Sequence, residues 1–257
     1  MSTARLDDVL PEWKAFAAAV RDRRPDAGTW CEAWTVRDVV IHQAGNAEEL
    51  TRVLSQELKG DPVPTRGFEE REAPYRAMDD DDLWSALVAG VEQLSEVSVA
   101  ATNEMGASTE VSWTGRRMQV SWFAEHMREE LVLHRWDITG DDAIAATALA
   151  EPWMTTHSVV AVGRPLLDRG AAALGLGGDD RLEGRLRVKG CDDVVVVATT
   201  DSTEISLARP QGAATIESDA ATRCLFLWGR RPADPSRWTS REAPERLRQV
   251  RRLLSGY

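Results

Sequence analysis

The chain has 257 residues, 43% hydrophobic and 28% charged, the balance of a globular protein with enough length for one large or two small domains. Its formal net charge of −11 repels phosphate backbones and argues against general nucleic-acid binding. No apolar run approaches the roughly 18 residues of a membrane span, and the first eight residues lack a signal peptide's apolar stretch, so a cytoplasmic protein with no membrane partner is expected.

Taken in chain order, residues 6–23 read as a first helix. Leu6, Val9, Leu10, Trp13, Ala17 and Val20 recur at helical spacing, with Pro11 in the opening turns. Pro25-Asp26-Ala27-Gly28 breaks it. A second helix is predicted from Thr35, an N-cap residue, to Leu58. Residues 60–74 hold Pro62, Pro64 and Gly67 and read as a long connection. The run Asp79-Asp80-Asp81-Asp82 opens a third helix reaching Met105, its carboxylates favoured there by the helix dipole rather than by a metal. Residues 110–119 look irregular or hairpin-like, and a fourth helix follows over 120–138. Four amphipathic segments with one long connection fit a four-helix bundle with a crossover.

Residues 143–174 continue helical, interrupted by Pro152 and Pro165. The glycine-rich stretch 175–180 does not join a strand to a helix, so it is no dinucleotide fingerprint. Leu182, Gly184, Leu186 and Val188 then alternate with polar residues, Val194 to Ala198 form an apolar run, and Ile205 and Leu207 alternate again, which are strand signals. Helices are predicted over 219–228 and 243–254. The fold class expected is α+β, with a helical bundle over 1–150 and a small α+β domain over 151–257.

The cysteines Cys31, Cys191 and Cys224 are odd in number and far apart, which argues against a disulfide framework or a cysteine-rich zinc site. Nine arginines lie between Arg223 and Arg252, against Asp234, Glu242 and Glu245. They read as a solvated helix face, or else as a patch for a small anionic ligand.

Four histidines exist: His42, His126, His134 and His157. His126, Glu130 and His134 are four residues apart and share one face of the fourth helix. At about 100° per residue His134 falls inside that helix's apolar arc and Glu130 at its edge. An imidazole and a carboxylate turned toward a core are costly unless compensated, and a metal ion compensates both. On the second helix Gln43 lies within the apolar arc, Asn46 to one side and His42 at its edge. Polar groups turned inward from two helices are how bundle-core metal sites are built. His42, Glu130 and His134 would suit zinc or a similar ion, with a coordination position left open for chemistry. His126 is a reserve ligand, Asp137 a candidate acceptor for an imidazole N–H, and His157 a structural residue. A Glu–His pair at this spacing is also a common surface ion pair and an inward histidine a common core residue, so a metal-free polar core remains the alternative.

These residues carry a resemblance. Trp34-Thr35-Val36-Arg37-Asp38-Val39-Val40-Ile41-His42 with Asn46, and Arg128-Glu129-Glu130-Leu131-Val132-Leu133-His134-Arg135-Trp136-Asp137, resemble the two metal-binding stretches of the mycothiol-dependent maleylpyruvate isomerase family, within the DinB-like superfamily. The segment 220–230, ending Leu227-Trp228-Gly229-Arg230, resembles that family's C-terminal domain. The resemblance implies a DinB-like four-helix bundle followed by a sterol-carrier-like α+β domain. It implies a zinc-type ion on His42, Glu130 and His134, and mycothiol, a low-molecular-weight thiol, as cosubstrate. It further implies an arginine, Arg230 or its neighbour Arg231, that holds the thiol or an anionic substrate and stabilises developing charge.

The activity expected is a metal- and thiol-dependent isomerase or S-transferase acting on a small electrophilic, anionic substrate. The alternatives are a metal-dependent hydrolase using metal-bound water, and a non-catalytic protein that binds a small molecule.

Overall fold

The computed structural model describes residues 6–255, apart from the side chains at 162, 164 and 165. Residues 1–5, part of the amino-terminal stretch read above for a signal sequence, lie outside that range. The chain divides into two compact units, residues 1–139 and 140–257.

The first unit is helical. Its elements are α1 (Leu6–Val9), α2 (Trp13–Arg21), α3 (Val36–Leu58), α4 (Phe68–Arg76), α5 (Asp80–Met105), β1 (Glu110–Trp113), β2 (Arg116–Gln119) and α6 (Ser121–Thr139). The single helix expected over 6–23 is two, because Pro11 has no N–H to donate and its ring crowds the preceding turn. At α3 the Thr35 hydroxyl accepts from the Asp38 N–H and the Asp38 carboxylate accepts from the Thr35 N–H, a capping box that satisfies otherwise orphaned donors. Asp79 caps α5 by accepting from the Asp82 N–H, so the aspartate run is a helix start. β1 and β2 form an antiparallel hairpin turned by Thr114 and Gly115, both at positive φ, the pair of conformations a tight two-residue turn demands.

Helix α3 packs on α5 and α6, and α2 packs on α6, so α2, α3, α5 and α6 form the bundle. Phe16, Leu50, Leu54, Leu87, Leu94, Met127 and Leu131 fill its core. The connection from α3 to α5 was expected to be a loop; it contains α4, nine residues long, which packs against α3. Contact is close at Gly45, where a Cβ would stand 3.1 Å from the Arg71 carbonyl oxygen and 3.3 Å from Glu72 Cγ.

The second unit holds α7 (Ala143–Leu149), α8 (Pro152–His157), a π-helical turn (Ser158–Val162), α9 (Gly163–Leu174), β3 (Arg181–Val188), β4 (Asp193–Thr199), β5 (Thr203–Ala208), β6 (Ile216–Ser218), α10 (Ala220–Leu227), β7 (Trp238–Thr239) and α11 (Pro244–Leu254). Pro152 starts α8, as its fixed φ and missing N–H favour, whereas the helical run continues through residue 165. The compact units divide after Thr139, with α7, whose Ala145 and Leu149 are buried, packing on α10 of this unit; the domain division expected from sequence lies at residue 150.

The strands form one mixed sheet in the order β5-β4-β3-β6-β7, parallel only between β3 and β6. In β3 Leu182, Gly184, Leu186 and Val188 are buried in alternation, while β4 is buried from Asp193 to Ala198. The continuous apolar run marks a strand covered on both sides. α9 and α11 pack against each other and onto the sheet. Gly170 permits their close approach, since a Cβ there would fall 2.0 Å from the Leu253 carbonyl oxygen. The two shortest strands, β6 and β7, carry no pattern long enough to be read from sequence.

Candidate functional site

Helices α3 and α6 of the first unit bring His42, Glu130 and His134 together, with one ligand-capable atom of each lying within 4.8 Å of the others. All three are buried, at 5 to 7% exposure. His42 Nε2 and His134 Nε2 each lie 3.3 Å from the same oxygen, Glu130 Oε2. The far nitrogen of each ring meets another carboxylate. His42 Nδ1 is 2.9 Å from Glu72 Oε1, and His134 Nδ1 is 2.8 Å from Asp137 Oδ2. Glu72 is held from its other side by Arg76, whose Nη2 donates to Oε2 at 2.6 Å.

This arrangement constrains the protons. A neutral imidazole has one N–H and one lone pair, yet both nitrogens of each ring face carboxylate oxygens. With the proton on Nδ1, where His42 donates to Glu72 and Asp137 lies 2.8 Å from His134, each Nε2 lone pair points at the Glu130 carboxylate, a repulsive contact unless a cation stands between them. The donor set therefore fits a divalent ion held by two imidazole nitrogens and a carboxylate oxygen. The spacing fits too, because ligand atoms about 2.0–2.1 Å from a tetrahedral ion stand about 3.3 Å apart. Outer carboxylates that fix the ring tautomer and raise ligand basicity are the usual second feature of histidine metal sites.

Burial alone would raise the pKa of Glu130. Close contact with His134 and His42, whose Nε2 atoms carry protons when no cation stands between, and the charge of His126 and His134 outweigh it and hold the carboxyl well below its ordinary range. Burial depresses His134, and Asp137 and Glu130 more than restore it. Glu72 is likewise lowered, with hydrogen bonding and charge from His42 overcoming burial. For Glu130 and His134 the two directions agree, each group favouring the other's charged form in a site with little water.

Aromatic rings wall the site. Trp34 stacks on His134 at 5.4 Å and lies 5.0 Å from His42, and Phe68 lies 5.6 Å from His42. Trp34 stands just before the α3 cap and Phe68 opens α4, so both ends of α3's surroundings contribute. His126 is one turn before Glu130 with Nε2 3.8 Å from Oε1, the oxygen that His42 and His134 do not share.

Sequence reasoning missed Glu72, Arg71 and Phe68. All lie on α4, a segment whose prolines and glycine read as loop. Arg71 is 5% exposed, and its guanidinium sits 4.2 Å above the Phe68 ring. Its Nε is buried without a hydrogen bond. Burial lowers its pKa, opposed through space by Glu130, then Glu72 and Glu49.

Arg230 and Arg231 belong to the second unit, just after α10. Gly229 at positive φ turns the chain there, and the Arg230 N–H closes the helix end on the Leu225 carbonyl at 2.8 Å. Both arginines line a cleft of about 680 Å³ with Arg248, Arg251 and Arg252 of α11. Arg248 is engaged by Glu245. Part of the arginine-rich tail is thus gathered around one concavity and is not merely a solvated helix face.

Among the described residues, no helix is long and apolar enough to cross a membrane. No curated protein matches the chain. Its fold is similar to the crystal structure of a mycothiol-dependent maleylpyruvate isomerase, at 18% identity and a TM-score of 0.58 over 95% of this chain and 98% of that one. It is equally similar to a point mutant of a mycothiol-dependent maleylpyruvate isomerase, at 17% identity and a TM-score of 0.60 over the same shares of both chains. A helical first unit followed by a mixed-sheet unit is the architecture of those structures. Residues 6–139, more than half of the chain, match the family described as the mycothiol maleylpyruvate isomerase N-terminal domain, and the chain belongs to that family.

Proposed function

We propose that this protein is a metal-dependent, mycothiol-dependent isomerase acting on a small, anionic electrophile, with S-transfer of the same thiol as the alternative outcome. The observation that carries this reading is the ligand set. Three buried donor atoms leave a coordination position for an exogenous group, the mark of a catalytic rather than a structural site.

His42, Glu130 and His134 would hold the ion, zinc being the best match to two imidazoles and a carboxylate. Bound there, the ion supplies Lewis acidity that lowers the pKa of a thiol. A thiol supplies reversible addition to a conjugated carbon–carbon double bond, so that the bond can turn before the thiol leaves. The chain's own groups prepare this. Glu72 takes the Nδ1 proton of His42 as hydrogen-bond acceptor, and Asp137 stands 2.8 Å from His134 Nδ1, so carboxylate charge lies behind both rings. Trp34 and Phe68 exclude water from the imidazoles, which strengthens every charge interaction among them. Arg230 or Arg231 supplies positive charge for an anionic group of the substrate or thiol.

The test is elemental analysis of the purified protein and of His42→Ala and His134→Ala, followed by turnover assays of conjugated electrophiles with and without mycothiol. About one zinc-like ion per chain, lost in both variants, with turnover that requires the thiol, is the result expected. A protein that takes up no metal would leave a polar core pair, and turnover undiminished without thiol would point to hydrolysis instead.

A further inference from the structure

Arg71 is an arginine of 5% exposure with no direct ion pair among the described residues. Among the described residues its side chain makes no hydrogen bond and no ion pair, its Nε is buried without an acceptor, and its guanidinium stands 4.2 Å above the Phe68 ring. A buried donor without an acceptor is costly, and an arginine held in this way beside a candidate metal centre is poised for an anion that arrives.

The three carboxylates that act on Arg71 through space are all engaged elsewhere. Glu49 accepts from Arg52 and from Arg66 at 2.6 Å each. Glu72 is shared by His42 and Arg76. Glu130 faces both ligand histidines. Arg71 therefore cannot be neutralised by turning to a neighbour without stripping the metal centre or the α3–α4 contact.

Its position is tied to the metal centre in three ways. It adjoins Glu72, the acceptor for His42. It lies over the ring of Phe68, which itself packs on His42. Glu130 is the strongest of the charges acting on it. One turn along α3 from His42, the Asn46 Nδ2 is buried with no acceptor, a second donor lacking a partner.

We propose that Arg71 binds a carboxylate group of the substrate beside the metal centre, with the planar guanidinium presenting two parallel N–H donors to its two oxygens. This rests on the reading of His42, Glu130 and His134 as metal ligands and adds to it. The anionic substrate is anchored within the first unit itself, by a residue of α4, independently of the arginines after α10.

The test is calorimetric titration of succinate, an unreactive dicarboxylate, into the cobalt-loaded protein, with the cobalt absorption spectrum as second readout. Wild type is expected to bind succinate with a change in that spectrum. Arg71→Met is expected to retain about one cobalt per chain and to bind succinate roughly ten- to a hundredfold more weakly, the effect of losing charge-assisted hydrogen bonds. Arg71→Lys keeps the charge but not the fork and falls between them. Should Arg71→Met fail to fold, Arg71→Lys at wild-type affinity would overturn the proposal. Failure of wild type to bind succinate would overturn it, as would Arg71→Met matching wild type while Arg230→Ala/Arg231→Ala loses binding. If wild type takes up no cobalt, the metal reading fails separately, and the same titrations on metal-free protein still decide the role of Arg71.

Discussion

Glu72 Oε1 accepts a hydrogen bond from His42 Nδ1 at 2.9 Å, joining α4 to α3 across 30 residues of chain. Through that bond the orientation of one proposed ligand, His42, depends on a helix that supplies none of the three proposed ligands. Glu72→Gln keeps an acceptor oxygen but removes the carboxylate charge that holds the ring in place. Asp137→Asn does the same for His134. Each is expected to weaken zinc affinity by about 10- to 100-fold, measured by competition with a chelator of known affinity. Unchanged affinity in both would show that the outer carboxylates are bystanders.

Gly45 is the point where α3 and α4 touch, with no room for a Cβ at less than 3.1 Å from the Arg71 carbonyl. Gly45→Ala gains helix propensity of about 1 kcal/mol but pushes the Arg71–Glu72 backbone outward. The expected outcome is a fall in metal affinity with a change in unfolding free energy smaller than that propensity gain. A more stable protein with wild-type metal affinity would mean that α4 shifts without disturbing Glu72.

In the second unit Asp193 is fully buried at the start of β4, with Arg185 at 3.1 Å and Arg187 at 2.7 Å. Burial pushes its pKa up, but the two arginines prevail and hold it below the ordinary 3.8. Because the folded value is the lower one, its contribution is fully present above the unfolded value of 3.8 and is lost as pH falls through the folded value. Asp193→Asn is expected to lose on the order of 3 kcal/mol near neutrality. Urea melts at descending pH should show the gap between variant and wild type closing below about pH 4.

Thr35→Ala removes the hydroxyl that accepts from Asp38 N–H at 3.2 Å, half of the capping box at the start of α3. A loss of about 1 kcal/mol is expected in denaturant unfolding. A negligible loss would mean that the backbone contacts of the preceding turn suffice to start the helix.

Much of this protein was legible in its residues. The periodicity of α3, α5 and α6, the caps at Thr35 and Asp79 and the strands β3 to β5 are local properties, written in spacing that any reader of the chain can follow. The meeting of His42, Glu130 and His134 was legible for a related reason. Polar residues on the apolar arcs of two amphipathic helices must face a shared core, so their burial follows once the helices are placed. What local pattern could not show is where α4 lies. Pro62, Pro64, Gly67 and Pro74 argue for loop, and α4 persists through its packing on α3 at Gly45. Glu72 and Arg71 acquire their roles only from that packing. The strands β6 and β7, three and two residues long, exist only by pairing with neighbours distant in sequence. Sequence by itself determined the helices and the candidate ligand types, because those depend on neighbours within a few residues. Tertiary structure alone decided which carboxylate supports His42 and that Arg71 lies, among the described residues, buried without a hydrogen bond, because a contact across tens of residues leaves no periodic trace in the chain.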